Sequence, residues 1–251
     1  MGKVRMRPRA ARQAGRAMHR AEQDEPKSGL VEWIKSIAIA FGLFLLIRTF
    51  LVQTFTITSG SMENTLLVGD FLMLSKAAYG AQIPGTKLRL PGYTRLERGD
   101  VIVFRGPHEP NLDLVKRVVG LPGDTLQMRD GVLYVNGEPQ VEPYAEGSGR
   151  GGDVTHPWME WQKEYLAPGV DRATYRPTLW NWGPLVVPPG RYFVLGDRRD
   201  DSLDSRHWGF VDGDKIKGEA LFIYYSYDRT APHAFPWIRD VRWERIGRPI
   251  R

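Results

Sequence analysis

Three stretches of the chain carry residue types able to do covalent chemistry. The first, Thr58-Ser59-Gly60-Ser61-Met62-Glu63-Asn64-Thr65-Leu66, offers two hydroxyls, on Ser59 and Ser61. A serine becomes a nucleophile only when a base takes its proton, and a Ser-Gly-Ser triplet without one is ordinarily a loop or a helix cap. The second, Leu114-Val115-Lys116-Arg117-Val118-Val119-Gly120-Leu121-Pro122-Gly123-Asp124, sets Lys116 in an apolar run. Apolar surroundings disfavour the ammonium and lower its pKa toward that of a usable base. The plain alternative is an edge-strand lysine that lays its stem on apolar surface and keeps its head in water. The third stretch runs from Gly196-Asp197-Arg198-Arg199-Asp200-Asp201 through Ser202-Leu203-Asp204-Ser205-Arg206-His207-Trp208 and by itself is a loop tied by acid and arginine pairs.

The third stretch also sets His207 near Asp204 and Ser205, the residue types of a Ser-His-Asp triad. Adjacent residues of one strand or loop point apart, and a triad there leaves the Ser61 block without a role. His19, His108, His156, His207 and His233 are scattered, and no His-Glu-x-x-His occurs, so the sequence points to no metal site. The absence of Cys excludes disulfides, a thiol nucleophile and thiolate metal ligands.

These blocks need a folded scaffold, and short β-branched and aromatic runs between Gly and Pro supply one. Strands are expected at Phe71 to Ser75, Val101 to Phe104, Leu114 to Val119, Thr125 to Met128, Val132 to Asn136, Tyr192 to Leu195 and Ala220 to Tyr225. Asn136-Gly137 after one of these runs is a hairpin turn signal, because both residues tolerate positive φ. Pro143 to Pro189 is rich in Gly, Pro and Trp with little periodicity and is expected to be an irregular insertion. The fold class is therefore mainly β, an antiparallel β-sheet catalytic domain with an irregular β-containing insertion at about 126 to 190.

Ahead of that domain, Ile37 to Ile47 is an unbroken run of apolar residues and Gly inside Val31 to Val52. Twenty-two helical residues span roughly 33 Å, enough for a hydrocarbon layer of about 30 Å. Residues 31 to 52 are expected to be an N-terminal transmembrane helix. Residues 1 to 30 hold eight Lys or Arg against three acids, which leaves 27 basic and 26 acidic groups in the remainder. The net charge of +6 thus sits almost wholly in one tail, and the folded part has no field suited to a phosphate backbone, so nucleic acid is not an expected partner. The basic flank should stay cytoplasmic, which sends residues 53 to 251 across the membrane. A cleaved secretory signal or a buried helix would also produce an apolar run, but a 30-residue polar leader is long for the first and its basic charge is unexplained by the second. At the other end of the chain, Phe235-Pro236-Trp237-Ile238 and Val241-Arg242-Trp243 mix aromatics with Arg, a composition that suits a membrane interface and core packing equally.

Taken together and in this order, the anchor and the three blocks resemble type I signal peptidases, bacterial serine proteases with a Ser/Lys dyad, over nearly all of residues 31 to 226. The family pattern has the nucleophile in Ser-x-Ser-Met, the base in Lys-Arg-x-x-Gly-x-Pro-Gly-Asp, and a supporting loop in Gly-Asp-Asn-Arg-x-x-Ser-x-Asp-Ser-Arg. The resemblance implies Ser61 as nucleophile and Lys116 as general base, with Ser59 and the Ser61 amide forming an oxyanion hole. It implies that Ser202 orients Lys116 and that Asp204 and Arg206 form a structural ion pair. It places Ile57, Met62, Leu66, Leu114 and Val115 at the pocket for the residue before the cut, and Phe55, Leu72 and Val103 at the pocket two residues further back. Such pockets admit Ala and similar side chains, matching the Ala-x-Ala ends of secretory signals. Thr58 and Asn64 stand where many members have Pro, Arg198 where Asn is usual, and Asp201 where Asn is frequent.

The implied reaction is hydrolysis of signal peptides from preproteins at a bacterial inner membrane, without a cofactor. The expected partners are signal peptides and the lipid bilayer. Oligomeric state is not legible. Two other functions remain open: a catalytically inactive membrane-tethered β domain with a binding or assembly role, and a self-cleaving repressor of the Ser/Lys type, a class that lacks a membrane anchor.

Overall fold

The computed structural model describes residues 26–83, 85–86, 88–108, 111–147, 153 and 155–251. The basic tail expected over residues 1 to 30 lies outside the described residues as far as residue 25. The chain divides into two compact units, one ending at Arg48 and the other running from Thr49 to Arg251.

Among the described residues the first unit is one long helix, α1 (Pro26–Phe50), whose last two residues belong to the second unit. Within it Gly29–Phe50 is long and apolar enough to cross a membrane. Leu30, Trp33, Ile37, Phe41, Phe44 and Leu46 along it are all exposed among the described residues. In water that much unburied apolar surface is unfavourable by roughly 25 cal/mol per Å², whereas in lipid it is the stable arrangement, and every interior backbone group is already paired within the helix.

The strands of the second unit pair antiparallel. Its strands are β1 (Val52–Thr56), β2 (Asp70–Ser75), β3 (Val101–Arg105), β4 (Asp113–Gly120), β5 (Thr125–Arg129), β6 (Val132–Val135), β7 (Glu138–Pro139), β8 (Trp182–Val186), β9 (Arg191–Leu195), β10 (Val211–Asp212) and β11 (Ile216–Ser226). Seven of them form one sheet in the order β1-β2-β11-β3-β4-β9-β10, and four form a second in the order β7-β6-β5-β8. Each expected strand run overlaps one of these. β1, β7, β8 and β10 fall outside the expected runs: β7 and β10 have two residues each, β8 carries Gly183 and Pro184, and β1 follows directly on the apolar run of α1.

Alternation along the central strands buries both faces of the large sheet. One face presents Val101, Val103 and Val115 to Ile57, Met62, Leu66, Leu72 and Leu74. The other presents Ile102, Phe104 and Val118 to Val194, Val211 and Ile216. The side-chain period of two puts Val115 and Lys116 on opposite sides of β4. The second sheet packs Leu126, Met128, Leu133 and Leu185 with Trp182 and Phe193 in a third cluster. Between β6 and β7 the chain turns at Asn136 (φ 54°) and Gly137 (φ 88°), the left-handed pair the sequence signals. Within the expected insertion, Pro157–Glu164 forms a 3₁₀ helix whose first turn is capped by His156.

Candidate active site

β4 carries Lys116 at its centre, flanked by Val115 and Arg117, and only 3% of the lysine is exposed. The 3₁₀ turn Gly60–Met62 holds Ser61, itself 9% exposed, against that strand. A hydrogen bond joins Lys116 Nζ and Ser61 Oγ. Burial is the main influence on the lysine: it disfavours the ammonium and brings the pKa from 10.5 down to about 8. Arg206 pushes the same way, while Asp204, Asp197 and Asp201 oppose it without cancelling the effect. Near pH 8 the amine is therefore neutral in a substantial fraction of molecules, with a lone pair directed at the serine hydroxyl. That is the arrangement of a nucleophile and its general base.

Ser59 is exposed, and its Oγ lies 3.4 Å from Ser61 Oγ, close enough to reach an oxygen bonded to the same carbon that Ser61 attacks. Ser202 is buried, and its hydroxyl has no hydrogen-bond partner among the described residues. It sits next to the dyad all the same. Gly196 is pressed between Ser202 Oγ and the Ser61 carbonyl, so that a Cβ on residue 196 would strike both.

Asp204 and Arg206 pair as expected, Nε to Oδ1 at 2.8 Å and Nη2 to Oδ2 at 2.9 Å, both fully buried. Burial alone would raise the Asp204 pKa, but the Arg206 charge, the Gly196 amide and Lys116 hold it down at about 2. Asp204 also caps the short helix α2 (Ser205–Trp208) by accepting from the Arg206 amide. The triad types gathered in this loop do not form a triad. Ser205 Oγ accepts from the Val194 amide, the Asp204 carboxylate is taken up by Arg206 and Gly196, and His207 Nδ1 has no partner among the described residues. Burial lowers the His207 pKa, with Asp204 opposing.

A pocket of about 120 Å³ opens beside the dyad. Phe55, Ile57, Met62, Leu114 and Val115 line it together with Ser59, Ser61 and Lys116. Leu66, Leu72 and Val103 are not among its liners; each is fully buried in the same cluster as Ile57, Met62 and Val115. Sequence reasoning missed three liners, Thr58, Leu112 and Asp113. Their signal was proximity to Ser59 and to Leu114 along the chain, since residues flanking a pocket strand share its wall.

Sequence reasoning also missed the clamp that registers the two catalytic segments. Arg117, next to the lysine, forms a bidentate pair with Asp197 at 2.8 and 2.7 Å, with both side chains at most 1% exposed. Thr65, four residues after Ser61, donates to Asp197 at 2.5 Å and accepts from Arg117 at 3.0 Å. Arg117 further donates to the Gly99 carbonyl and lies 3.8 Å above the Tyr144 ring. The signal available in the sequence was an Arg within an apolar strand, which must have a buried acid to meet it.

Of the positions that depart from the family pattern, Asn64 has φ 87° and donates to the Tyr144 carbonyl at 2.9 Å. A proline ring fixes φ near about −65° and cannot occupy that conformation. Arg198 pairs with Glu63, tying the third sequence block to the turn that carries Ser61.

The family model for signal peptidase, peptidase S26, matches residues 30–225. Signal peptidase I of Pseudomonas aeruginosa is 40% identical over 212 residues, which is 79% of this chain and 73% of that protein. Signal peptidase I of Bacillus licheniformis is 36% identical over 203 residues, covering 80% of this chain and 92% of the relative. Signal peptidase I of Rickettsia akari is 33% identical over 254 residues, covering 89% and 94%.

Proposed function

The chain belongs to the signal peptidase family, peptidase S26, and we propose that it removes signal peptides from secretory preproteins with Ser61 as nucleophile and Lys116 as general base. It is a serine-type endopeptidase of that family. Nothing favours an inactive tethered domain. The observation that carries the catalytic assignment is the hydrogen bond between Ser61 and a lysine whose burial brings its pKa to about 8.

In the proposed reaction neutral Lys116 takes the Ser61 proton as Oγ attacks the scissile carbonyl carbon. The carbonyl oxygen gains the negative charge, met by the Ser59 hydroxyl and the Ser61 amide. Collapse of the tetrahedral intermediate breaks the C–N bond, and the Lys116 ammonium returns its proton to the departing amine. Water, deprotonated in turn by Lys116, hydrolyses the resulting ester and frees Ser61. Ser202, buried and with no partner among the described residues, is available to hold the amine in line. The Asp204–Arg206 pair supports the loop that carries it.

The small pocket suits Ala and similar residues at the first and third positions before the cut, where larger side chains overfill it. Residues 1 to 30 are proposed as a cytoplasmic tail, 31 to 52 as a single-pass anchor in a bacterial inner membrane, and 53 to 251 as the extracytoplasmic catalytic domain with its inserted subdomain at about 126 to 190. The test is cleavage of a preprotein by the purified full-length chain in detergent. The native protein is expected to release the signal peptide and Ser61→Ala to release none. A native chain that leaves every preprotein intact overturns the function, and cleavage by Ser61→Ala overturns the nucleophile.

A further inference from the structure

The Arg117–Asp197 clamp is itself held from outside the large sheet. After β7 the chain leaves the second sheet, and residues 142 to 147 run as a strap, without helix or strand, onto the loop that follows β9. The Glu146 amide donates to the Asp197 carbonyl at 2.7 Å, and the Glu146 carbonyl accepts from the Arg199 amide at 2.6 Å. The Tyr144 carbonyl accepts from Asn64, three residues beyond Ser61, and the Tyr144 ring lies under the guanidinium of Arg117, one residue beyond Lys116. One short segment of the insertion thus touches all three blocks singled out in the sequence.

Glu142 makes the tightest of these ties. Its carboxylate accepts from Arg199 Nη1 at 2.9 Å and Nη2 at 2.7 Å, with the two side chains only 8% and 3% exposed. A bidentate pair fixes the plane of a guanidinium as well as its place. The rest of Arg199 is spent on the loop backbone: Nε donates to the Gly196 carbonyl at 3.1 Å, and the Arg199 carbonyl accepts from Arg206 Nη2 at 2.8 Å. Gly196 lies against Ser202 Oγ and the Ser61 carbonyl, and the 3₁₀ turn Arg199–Asp201 leads directly into Ser202. A shift of Arg199 therefore moves both ends of the loop that borders the dyad. The Tyr144 hydroxyl donates to Glu142 at 3.2 Å, and burial together with the Glu142 charge raises its pKa, so the proton for that bond is kept.

We propose that Glu142 and Tyr144 are positioning residues for the dyad: Glu142, through Arg199, sets Ser202 beside Lys116, and Tyr144, through Arg117 and Asn64, holds Lys116 against Ser61. This rests on the Ser61 and Lys116 reading above. The insertion then serves the reaction by bracing it, without touching the substrate. None of the strap bonds described here goes to a residue lining the small pocket, so the chemical step rather than substrate binding depends on them. Misplacing reacting groups by about 1 Å costs roughly 10²-fold in rate.

The test measures kcat and KM for preprotein cleavage across the rise of activity with pH, using full-length native protein, Glu142→Ala, Tyr144→Ala and Tyr144→Phe in detergent. Circular dichroism and urea unfolding report the folded fraction of each. In both alanine variants kcat per folded molecule is expected to fall by about 10²-fold with KM little changed. The midpoint of the kcat/KM profile, near about 8 in the native protein, is expected to move up, because a loosened loop lets water reach Lys116 while Asp204, Arg206, Asp197 and Asp201 stay in place. A strap that only stabilises the fold would lower the folded fraction and leave both quantities unmoved. Tyr144→Phe keeps a ring under Arg117 and is expected to recover most of the kcat lost in Tyr144→Ala. Native kcat per folded molecule in the alanine variants, an unmoved midpoint, or a phenylalanine variant no better than alanine overturns the assignment. If one alanine variant does not fold, the other carries the test, and if neither folds the strap is a structural element and the proposal falls. A native protein that cleaves no preprotein, or whose activity does not rise through about pH 8, removes the dyad reading itself; a native rise with unaffected variants removes the strap alone.

Discussion

Replacing Lys116 with Met should make the protein more stable at neutral pH while abolishing its activity. The lysine is 3% exposed, and burial brings its pKa from 10.5 to about 8. At about 1.4 kcal/mol per unit, holding the ammonium in the folded protein costs about 3 kcal/mol. The sign follows from proton counts. Between about pH 8 and 10.5 the unfolded chain keeps a proton that the folded chain has lost, so native stability rises with pH across that window. Below about pH 8 both states are protonated and the full penalty is present. Methionine fills a similar volume without charge, so the variant should exceed the native protein by about 3 kcal/mol at pH 7, with the gap closing as pH approaches 10.5. Urea titrations of both full-length proteins in detergent, followed by tryptophan fluorescence at several pH values, measure the difference. A native protein more stable than the variant at pH 7, or a gap that does not change from pH 7 to 10.5, refutes the argument that Lys116 is a destabilised buried base.

Three other perturbations probe neighbouring parts of the structure. Asp197→Asn leaves the Arg117 guanidinium buried without a counter-charge and should lower unfolding free energy by about 3–5 kcal/mol in the same urea assay; a loss under about 1 kcal/mol dismisses the clamp. A preprotein with Leu in place of Ala at −1 overfills a pocket of about 120 Å³ and should be cleaved at least about tenfold more slowly, so equal rates for the two reject that pocket as the −1 site. Protease added to intact spheroplasts should digest the domain after Val52, and its complete protection until lysis would reverse the proposed orientation.

The proposed catalytic pair was singled out in the sequence by the resemblance carried by three blocks in order; alone, the Ser-Gly-Ser triplet and the lysine of Leu-Val-Lys-Arg-Val-Val each have a plain alternative reading. Strands that are continuous β-branched and aromatic runs, such as β3, were legible from composition. Residues that serve the site through distant partners were harder. Leu66, Leu72 and Val103 have the residue types of pocket walls and share one buried cluster with the liners Ile57, Met62 and Val115, and type alone does not say which members of such a cluster border the pocket. The Arg117–Asp197 pair joins residues 80 apart, and the sequence says only that each needs a partner.

β1 was hidden by continuity. Val52 ends the segment that reads as anchor, and the switch from helical to extended backbone at that point has no Gly or Pro to mark it. The family resemblance nevertheless assigned Phe55 and Ile57 to the substrate pockets, and both line the small pocket.

The most direct measurement is kcat/KM for preprotein cleavage as a function of pH, made on native protein and on Lys116→Arg with circular dichroism verifying that both are folded. If Lys116 is the base, native activity rises with pH through a midpoint near about 8, as the free enzyme's lysine loses its proton. Arginine keeps the charge but does not deprotonate, so the variant should lose about 10²-fold or more. A native profile flat from pH 7 to 10, or a folded arginine variant with near-native cleavage, would contradict Lys116 as the base and leave Ser61 without its activating partner.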